Sequence, residues 1–420
     1  MSKVLYVHAK GGPPVGHALP RAAARSAVHL LAISELPATA VAEASNLCAS
    51  VITPQDAYER DLAEIITARA REVGADAVIT FSAYAVAAVA EAARRLGLMG
   101  AGRTAPLARD KRLMRAAWQR HGIPQPRFRA ITSADELEAA AAELSYPLLL
   151  GHAELHVTDS CEDFIVEEIV SGCTREWFTD PGCGDYISVE GVVVDAAFHP
   201  VCVSGRMPTV ALFTERAGIT TAALESEAQN QIVELARRAV DALGLENCGT
   251  HTEIKLGMDG RIWVIETAAR FGGAMTVPQI EQVFGLDLVG MFTDQLLGRS
   301  PLWPARALTA AEADGAAGSL VVLAVDGDGV PWPRRHQSDS KAVIRCARIG
   351  ADAELSVVSE SSLTEGSPVP VYAPAAGANT IAGLCLLSAD RPQTVIGIFS
   401  TLINTLPHIL PADVTEGVPA

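Results

Sequence analysis

Apolar and polar positions alternate with two different periods along the first hundred residues, so that short strands and amphipathic helices follow one another. Apolar runs predict strands at 4–8, 29–33 and 77–80, and helical patterns lie at 18–27, 57–72 and 86–96. This order predicts an α/β unit with a parallel sheet and helical crossovers. The loop GGPPVG at 11–16 follows the first strand, where such sheets bind ligands. Because it departs from G-x-G-x-x-G, we interpret it as a strand-to-helix turn, with a role on the substrate side as the alternative.

Helical and strand patterns continue through the rest of the chain without strict alternation. Helices are predicted at 110–121, 133–144, 229–243 and 278–297, the last interrupted near Gly285. Strands are predicted at 146–150, 164–170, 186–194 and 196–202. From about residue 304 the composition changes, and short strands at 319–325 and 342–346 precede a helix at 392–402. We therefore expect a multi-domain protein that ends in an α+β unit of about a hundred residues.

The segment 249–273, GTHTEIKLGMDGRIWVIETAARFGG, predicts a hairpin that carries two acids and is followed by an arginine. Strands at 250–256 and 261–267 flank a turn at 257–260. If this loop closes symmetrically, Glu253 lies opposite Val264, and Glu266 lies diagonally adjacent. One face then carries His251, Glu253, Lys255, Val264 and Glu266, and the other, mostly apolar, face carries Thr252, Ile254, Leu256, Trp263 and Ile265.

Two acids on one exposed face repel each other unless a cation lies between them. Mg²⁺ together with nucleotide phosphates fits this chemistry. The alternative is an ordinary amphipathic hairpin whose glutamates pair with Lys255 and Arg270. The order H-x-E followed by E-x-x-x-R-x-G-G favours the metal interpretation, and a one-residue slip in register would remove it.

Composition limits the partners and the compartment. The formal net charge of −16 argues against binding nucleic acid through its phosphates. No apolar run is long and clean enough to span a membrane. The eight cysteines include no C-x-x-C pair, which is typical of reduced thiols. Because the N-terminus also lacks the long apolar region of a signal peptide, we expect a cytoplasmic protein.

Four segments, in this order, resemble the landmarks of the ATP-grasp carboxylate–amine ligases. LGLMGAGRTAPLARDKRLMRAAWQRHGIPQPRF at 96–128 resembles the entry segment, with its DK and G-I-P-x-P pattern. DFIVEEIVSG at 163–172 resembles the hinge strand that holds adenine, and ISVEGVVVD at 187–195 resembles the next central strand. The hairpin resembles the metal-binding end of the site. Its G-x-x-x-E and E-x-x-x-R-x-G-G spacing is most similar to the branch of L-amino acid ligases, which form dipeptides.

The resemblance implies an ATP-grasp fold with α/β and α+β parts. An N-terminal parallel-sheet (pre-ATP-grasp) domain would cover 1–108, and a small ATP-grasp subdomain would cover 109–165. A large subdomain with the Mg²⁺ and ATP site would cover 166–303. The C-terminal α+β domain would cover 304–420.

The resemblance also implies which residues contact the nucleotide. Lys111 would contact phosphate as a point charge, where its alternative is a solvated helix lysine. Asp185 would meet the ribose hydroxyls, or else it is a turn residue after Gly184. The backbone that faces the adenine edge would come from Glu167, Glu168, Ile169 and Val170.

The metal and catalytic roles would fall on the hairpin. Glu253 and Glu266 would hold two Mg²⁺ ions, and Glu266 would bridge them. Arg270 would neutralise charge on the transferring phosphoryl group and on an acyl phosphate, where its alternative is a salt bridge to Glu253. Candidates for the substrate side are His199, Arg206 and His251. Arg206 would pair with a substrate carboxylate or form an exposed salt bridge, and His251 would orient a neighbour, contact substrate or be structural.

Two features depart from the family pattern. An asparagine often stands two residues after the second metal glutamate, and here that position is Ala268. After the strand that ends at Leu150, the family has a lysine and a mobile Gly/Ser-rich loop that closes over the phosphates. Here GHAELHVTDSCEDFIVEE follows instead, so that about thirty residues are missing by analogy. Either the protein is shortened there or the sequence omits mobile residues, and we favour omission.

The resemblance implies an enzyme that uses ATP and Mg²⁺ to activate a carboxylate as an acyl phosphate and couples it to an amine. Amino acids are the expected carboxylate and amine substrates, and a homodimer is compatible with this class. Two alternatives stay open. One is an ATP-grasp carboxylase that uses bicarbonate, and the other is a catalytically impaired nucleotide-binding regulatory protein that lacks the lysine and the lid.

Overall fold

The architecture comes from a computed structural model, which describes residues 1–36, 38–54, 61–144, 147–152, 164–347, 353–374 and 379–412. Within these ranges the strands form sheets of four, three and eight strands. None of the helices described there combines the length and the apolar character that crossing a membrane requires.

The N-terminal sheet is parallel, which confirms the prediction from alternating strands and helices. Its strand order is β3-β2-β1-β4, and β1 pairs in parallel with both β2 and β4. Val4 and Tyr6 on β1 pack into one hydrophobic cluster, and Leu5 and Val7 pack into another, because helices cover both faces. The elements are β1 (Lys3–His8), α1 (Val15–Ala23), β2 (Ala27–Ala32), α2 (Ala38–Leu47), β3 (Ser50–Ile52), α3 (Leu62–Val73), β4 (Ala77–Ile79) and α4 (Val86–Leu96).

The GGPPVG segment connects β1 to α1 as a turn. Gly12 has a φ of +83°, and a Cβ at this position would lie 2.4 Å from the carbonyl oxygen of Phe81. Only glycine fits both requirements. The same turn lies close to Gly273, since a Cβ at Gly273 would be 3.7 Å from the Gly12 nitrogen. The turn therefore borders the loop that follows the acidic hairpin.

The three-stranded sheet is antiparallel, with the order β5-β7-β6. Its segment of the chain contains α5 (Lys111–Arg120), β5 (Phe128–Ile131), α6 (Ala134–Leu144), β6 (Leu148–His152) and β7 (Phe164–Glu168). Strands β6 and β7 pair continuously from Leu148 opposite Glu168 to His152 opposite Phe164. Where the family pattern has a lysine after Leu150, Gly151 and His152 continue β6, and the expected lid falls on 153–163, which lie outside the described residues.

The eight-stranded sheet joins the middle of the chain to its C-terminal part. Its order is β12-β11-β8-β9-β10-β13-β15-β14, and every neighbouring pair is antiparallel. The strands and helices are β8 (Tyr186–Val194), β9 (Ala197–Arg206), β10 (Ala217–Thr220), α7 (Ser226–Leu243), β11 (Cys248–Leu256), β12 (Ile262–Ala268), α8 (Thr276–Phe284), α9 (Leu288–Leu296), β13 (Ala316–Val322), α10 (Ser340–Ala347), β14 (Glu354–Val357), β15 (Gly383–Ala389) and α11 (Pro392–Ile409). The expected C-terminal unit therefore contributes strands to the same sheet as the hairpin.

The strand predicted at 342–346 is wrong, because these residues lie inside helix α10. The β-branched pair in this run suggested a strand, but Asp339 accepts a hydrogen bond from the Ala342 N–H at 2.8 Å and starts a helix. The helix then buries Ala342, Val343 and Ala347 on one face. Packing of this apolar face outweighs the local β propensity.

The predicted hairpin is present, but its predicted register is wrong. The turn spans five residues, since Leu256 pairs with Ile262, and a β-bulge follows between Glu253 and Ile254. Glu253 therefore lies directly opposite Glu266. Val264 is fully buried in the core, whereas Ile265 lines a cavity, so that these two side chains exchange the faces predicted for them. The two acids nevertheless share a face, as the metal interpretation requires.

Candidate active site

Two cavities share a wall made by Glu215 and Glu253. The larger, of about 320 Å³, lies between the hinge strand β7 and the β11–β12 hairpin. The smaller, of about 160 Å³, is bounded by β10, β11, β13 and the loop before α8. The volumes and the shared wall suit two ligands that react with each other across Glu253.

The larger cavity has apolar sides and a charged end. Its apolar lining includes Leu149 and Ile265, and its charged lining includes Lys111 and Glu253. Along the hinge, Val170 also lines the cavity, and its backbone makes no hydrogen bond to the described residues. A flat aromatic ring beside the hinge, with phosphates toward Lys111, would match this distribution of polar groups.

The side chains of the hinge glutamates point to arginines and not to a ligand. Glu167 is buried and accepts a hydrogen bond from Arg115 at 2.5 Å. Glu168 pairs with Arg127 at 2.8 Å. The backbone is engaged as well, because β7 pairs with both β5 and β6 at Glu167, and the Glu168 N–H donates to the Arg127 carbonyl at 2.9 Å. The backbone role that the resemblance implies therefore suits Val170 better than Glu167.

Lys111 is the cation nearest to the acidic pair. It is the first residue of α5, which Asp110 caps by accepting hydrogen bonds from two backbone N–H groups of the first turn. Its Nζ lies 3.2 Å from Oε2 of Glu266. Burial acts to raise the pKa of Glu266, but the Lys111 ammonium more than offsets this, so that the pKa falls below its usual range. Glu266 is therefore ionised and oriented toward Lys111.

Behind Glu253 lies a buried pair of His251 and Glu190. The Nδ1 of His251 is 2.7 Å from Glu190, and its Nε2 is 3.4 Å from Glu253. Glu190 is fully buried and also accepts a hydrogen bond from the Gly272 N–H at 3.2 Å. Burial acts to lower the pKa of His251, but the Glu190 carboxylate and the hydrogen bonds raise it to about 9. His251 thus lies between Glu190 and Glu253 and also lines the smaller cavity, so its position is compatible both with orienting Glu253 and with contacting a substrate.

This pair predicts a loss of stability at alkaline pH. The folded-state pKa of His251, about 9, exceeds the ordinary value. Its stabilisation, about 3 kcal/mol by linkage, is therefore fully present below about pH 6.5 and is lost as pH rises through about 9. We expect the difference in unfolding free energy between the wild type and His251→Gln to shrink from pH 6 to pH 10 in urea titrations. A difference that stays constant over this range would contradict a charged His251.

Arg270 faces the smaller cavity with an unused hydrogen-bond donor. Its guanidinium donates to the Phe271 carbonyl at 2.8 Å, while its Nε is buried without a partner. No carboxylate of the described residues lies within ion-pair distance of it, so the alternative of a salt bridge to Glu253 is not observed. The N-terminus of α8, with Thr276, also lines the cavity. Together these groups form a cationic end suited to an anion.

A strand from the C-terminal part of the chain holds the loop between Arg270 and α8 in place. Ala274 and Met275 both have positive φ values, of 46° and 71°, which are unusual for residues with side chains. The hydroxyl of Ser319 on β13 donates to the Ala274 carbonyl at 2.6 Å and accepts from Gln279 at 2.9 Å. Ser319 and Val321 also line the smaller cavity. Strand β13 therefore forms part of the candidate site, which no sequence motif indicated.

Arg206 lines the smaller cavity but is held by protein groups. It is buried, donates to Ser188 at 3.0 Å and lies 3.4 Å from Glu215. The ring of Tyr186 lies 5.8 Å from its guanidinium, and the Tyr186 hydroxyl bonds to Glu215. The salt bridge of the second alternative is therefore present with Glu215, but the Arg206 side chain itself is buried and not exposed. Glu215 itself was missed from the sequence, since it follows a loop without a recognisable motif.

Two further candidate residues, Asp185 and His199, lie at the margin of the larger cavity and outside both cavities, respectively. Asp185 pairs with Lys255 at 2.7 Å, and Lys255 lines the larger cavity. His199 pairs with Val192 near the β8–β9 turn, seven residues from Arg206 on the same strand. At about 3.3 Å per residue this separation is roughly 23 Å. The structure therefore does not bring His199 to either cavity.

Comparisons with known proteins match this geometry. The family described as an ATP-grasp domain matches residues 128–278. Alanine–anticapsin ligase of Bacillus subtilis (strain 168) is 35% identical over 271 residues, which are 57% of this chain and 57% of that protein. D-alanine–D-alanine ligase of Pseudomonas entomophila (strain L48) is 28% identical over 201 residues, which are 43% of this chain and 61% of that protein. The chain thus spans less than two thirds of the length of these curated relatives.

A solved structure resembles the chain over nearly its whole length. The L-amino acid ligase from Bacillus licheniformis superposes with a TM-score of 0.75 and 18% identity, and the match covers 99% of both chains. At this identity the likeness concerns the fold. The chain therefore has the ATP-grasp fold, and the resemblance inferred from its sequence is confirmed.

Proposed function

We propose that this ATP-grasp protein is an ATP-dependent ligase that joins two amino acids by an amide bond. The observation that carries the proposal is Glu253 in the wall shared by the two cavities, with Glu266 paired opposite it. One cavity has the hinge and Lys111 of a nucleotide site, and the other has Arg270 and a helix N-terminus for an anion. The relatives named above are ligases of amino acids, which supports the substrate class.

The acidic pair fits Mg²⁺. Two carboxylates on paired strand positions supply one or two ligands, and nucleotide phosphates and water supply the others that Mg²⁺ requires. Among the described residues, no group of three or more His, Cys, Asp or Glu side chains forms an all-protein metal cage. Glu253 and Glu266 would hold the metal, for which we propose two ions. When bound, Mg²⁺ would neutralise phosphate charge during transfer.

The chain's own groups would position the reactants. Lys111 would turn from Glu266 to the phosphates once the metal balances that carboxylate. An oxygen of the substrate carboxylate would attack the γ-phosphorus, the bond to the β-phosphate oxygen would break, and ADP would leave. Arg270 would stabilise the charge on the transferring group and on the acyl phosphate.

In the second step an amine would attack the acyl carbon, and inorganic phosphate would leave as the amide forms. The attacking amine must lose a proton, and the carboxylate of Glu215, which lines both cavities, would accept it. The small residues Ala217 and Gly218 leave room for a substrate side chain there. We propose a cytoplasmic setting, which the free thiols at the described cysteines support, and a homodimer as the assembly.

The proposal is tested by measuring ADP release with a panel of amino acids, singly and in pairs. We expect ADP to form only when a productive pair is present, with a dipeptide detected by mass spectrometry. Dependence on bicarbonate would instead support a carboxylase. Binding of nucleotide without turnover would support a regulatory protein, and the intact mass would then show whether residues beyond those in the sequence follow Leu150.

A further inference from the structure

Arg115 is a buried arginine that the proposed chemistry does not use. Its side chain is only 1% exposed, although it is one of the residues that line the larger cavity. It donates to Glu167 on the hinge strand at 2.5 Å. It also donates to two backbone carbonyls of β12, those of Ile265 at 2.8 Å and Val264 at 3.4 Å. One side chain thus connects α5, the hinge and the hairpin.

Those two carbonyls belong to the β-bulge. Strand β12 contributes the extra residue, Ile265, between the pairs Ile254–Val264 and Glu253–Glu266. A bulge takes its extra residue out of the ladder and leaves its backbone groups in need of other partners. The planar guanidinium has enough donors to serve both carbonyls and a carboxylate at once. The Val264 N–H is served by the Pro124 carbonyl at 2.9 Å, from the segment that follows α5.

The bulge decides which face Glu266 occupies. Near the turn, Leu256 pairs with Ile262 and Ile254 pairs with Val264. If that register continued without the extra residue, Glu253 would face Ile265, and Glu266 would project from the opposite face. The two acids could then not meet around one site. The bulge is therefore the feature that places both carboxylates together.

We propose that Arg115 is a positioning residue that holds this bulge and so keeps Glu266 on the same face as Glu253. Through Glu167 it also fixes the hairpin relative to the hinge, so that one side chain sets the distance between the adenine end and the carboxylate end of the site. The inference rests on the proposed function for its ligands, Mg²⁺ and nucleotide. Its structural part, the anchoring of the bulge, does not depend on which acid or amine is used.

The test compares Arg115→Met with Arg216→Met in the full chain. Arg216 is the matched control, because it is 7% exposed and donates to two backbone carbonyls, those of Gly327 and Asp326. Calorimetry measures ADP affinity with and without MgCl₂, and hydrogen exchange measures protection of β12. We expect Arg115→Met to reduce the enhancement of ADP binding by Mg²⁺ by about 10–100-fold. We also expect faster exchange in β12, whereas Arg216→Met changes neither.

Arg115→Lys provides the second variant in case the methionine variant does not fold. Lysine retains the charge beside Glu167 but cannot span two carbonyls, so an intermediate loss of the Mg²⁺ effect is expected. Unchanged exchange in β12 together with an unchanged Mg²⁺ effect in a folded variant would overturn the proposal. If the wild type binds no Mg²⁺ and ADP, the proposed function fails, and exchange in β12 alone still decides whether Arg115 anchors the bulge.

Discussion

Glu266→Gln is expected to lower kcat by about 10³-fold or more. The substitution keeps the size of the side chain but removes the charge that would hold Mg²⁺ at the phosphates, a loss of several kcal/mol of transition-state stabilisation. It also leaves Lys111, now 3.2 Å from Glu266, without its ion-pair partner. Steady-state ADP release with a productive amino-acid pair, measured over a range of MgCl₂ concentrations, gives the result.

The matched control for this variant is Glu354→Gln on the edge strand β14, where the glutamate is exposed. This change removes the same charge from the same sheet and should leave kcat unchanged. Circular dichroism should show that both variants are folded. Full turnover by Glu266→Gln would remove this residue from the metal site and would leave Glu253 as the single acid to hold the ion.

Arg270→Met is expected to lower kcat by about 10³-fold, within the range found when an arginine that stabilises phosphoryl transfer is removed. Its side chain lines the smaller cavity, where its positive charge would stabilise the charge that develops on the substrate. The affinity for Mg²⁺ and ADP should change little, because Arg270 lines the smaller cavity and not the larger one. Pre-steady-state measurement of ADP formation separates the chemical step from binding.

Arg270→Lys serves as the companion variant. A lysine retains the charge but lacks the planar fork, so it should recover part of kcat. If both variants kept the wild-type kcat and changed only the KM of the acid substrate, Arg270 would bind the ground state and would not stabilise the transferring group.

Many of the helices and strands and the acidic hairpin were accessible from the sequence, whereas elements such as α2, β3 and β5 were missed. The periods of apolar residues indicated the parallel sheet, the hinge strand and the hairpin. Glu253 and Glu266 stood out because they flank a recognisable turn and an arginine follows them. These patterns depend on residues that are close in sequence, and the folded protein retains the secondary structure that they predict.

The register of the hairpin was not accessible in the same way. An extra residue in β12 leaves the alternation of side chains locally ambiguous, and Val264 and Ile265 are both apolar enough for either face. The bulge is stabilised by Arg115, which is distant from it in sequence. One signal did exist: Arg115 is four residues after Lys111, and residues with this spacing share a helix face.

The contribution of β13 depends on contacts between distant parts of the chain. Nothing near Ser319 resembles a functional motif, and its role follows from pairing with β10 and from its bond to the Ala274 carbonyl. The change of composition near residue 304 suggested a boundary. The hydrogen bonds of the sheet cross it.

Because the sheet joins distant parts of the chain, it cannot be completed until late in synthesis on the ribosome. Strand β10 ends at Thr220, and its partner β13 starts at Ala316, so that roughly 100 residues separate the two. At a translation rate of about 5–20 residues per second, β13 is synthesised about 5–20 s after β10. During this interval its free edge resembles the open strands that associate with other chains. We therefore expect nascent chains stalled near residue 310 to engage chaperones more strongly than chains stalled after β15.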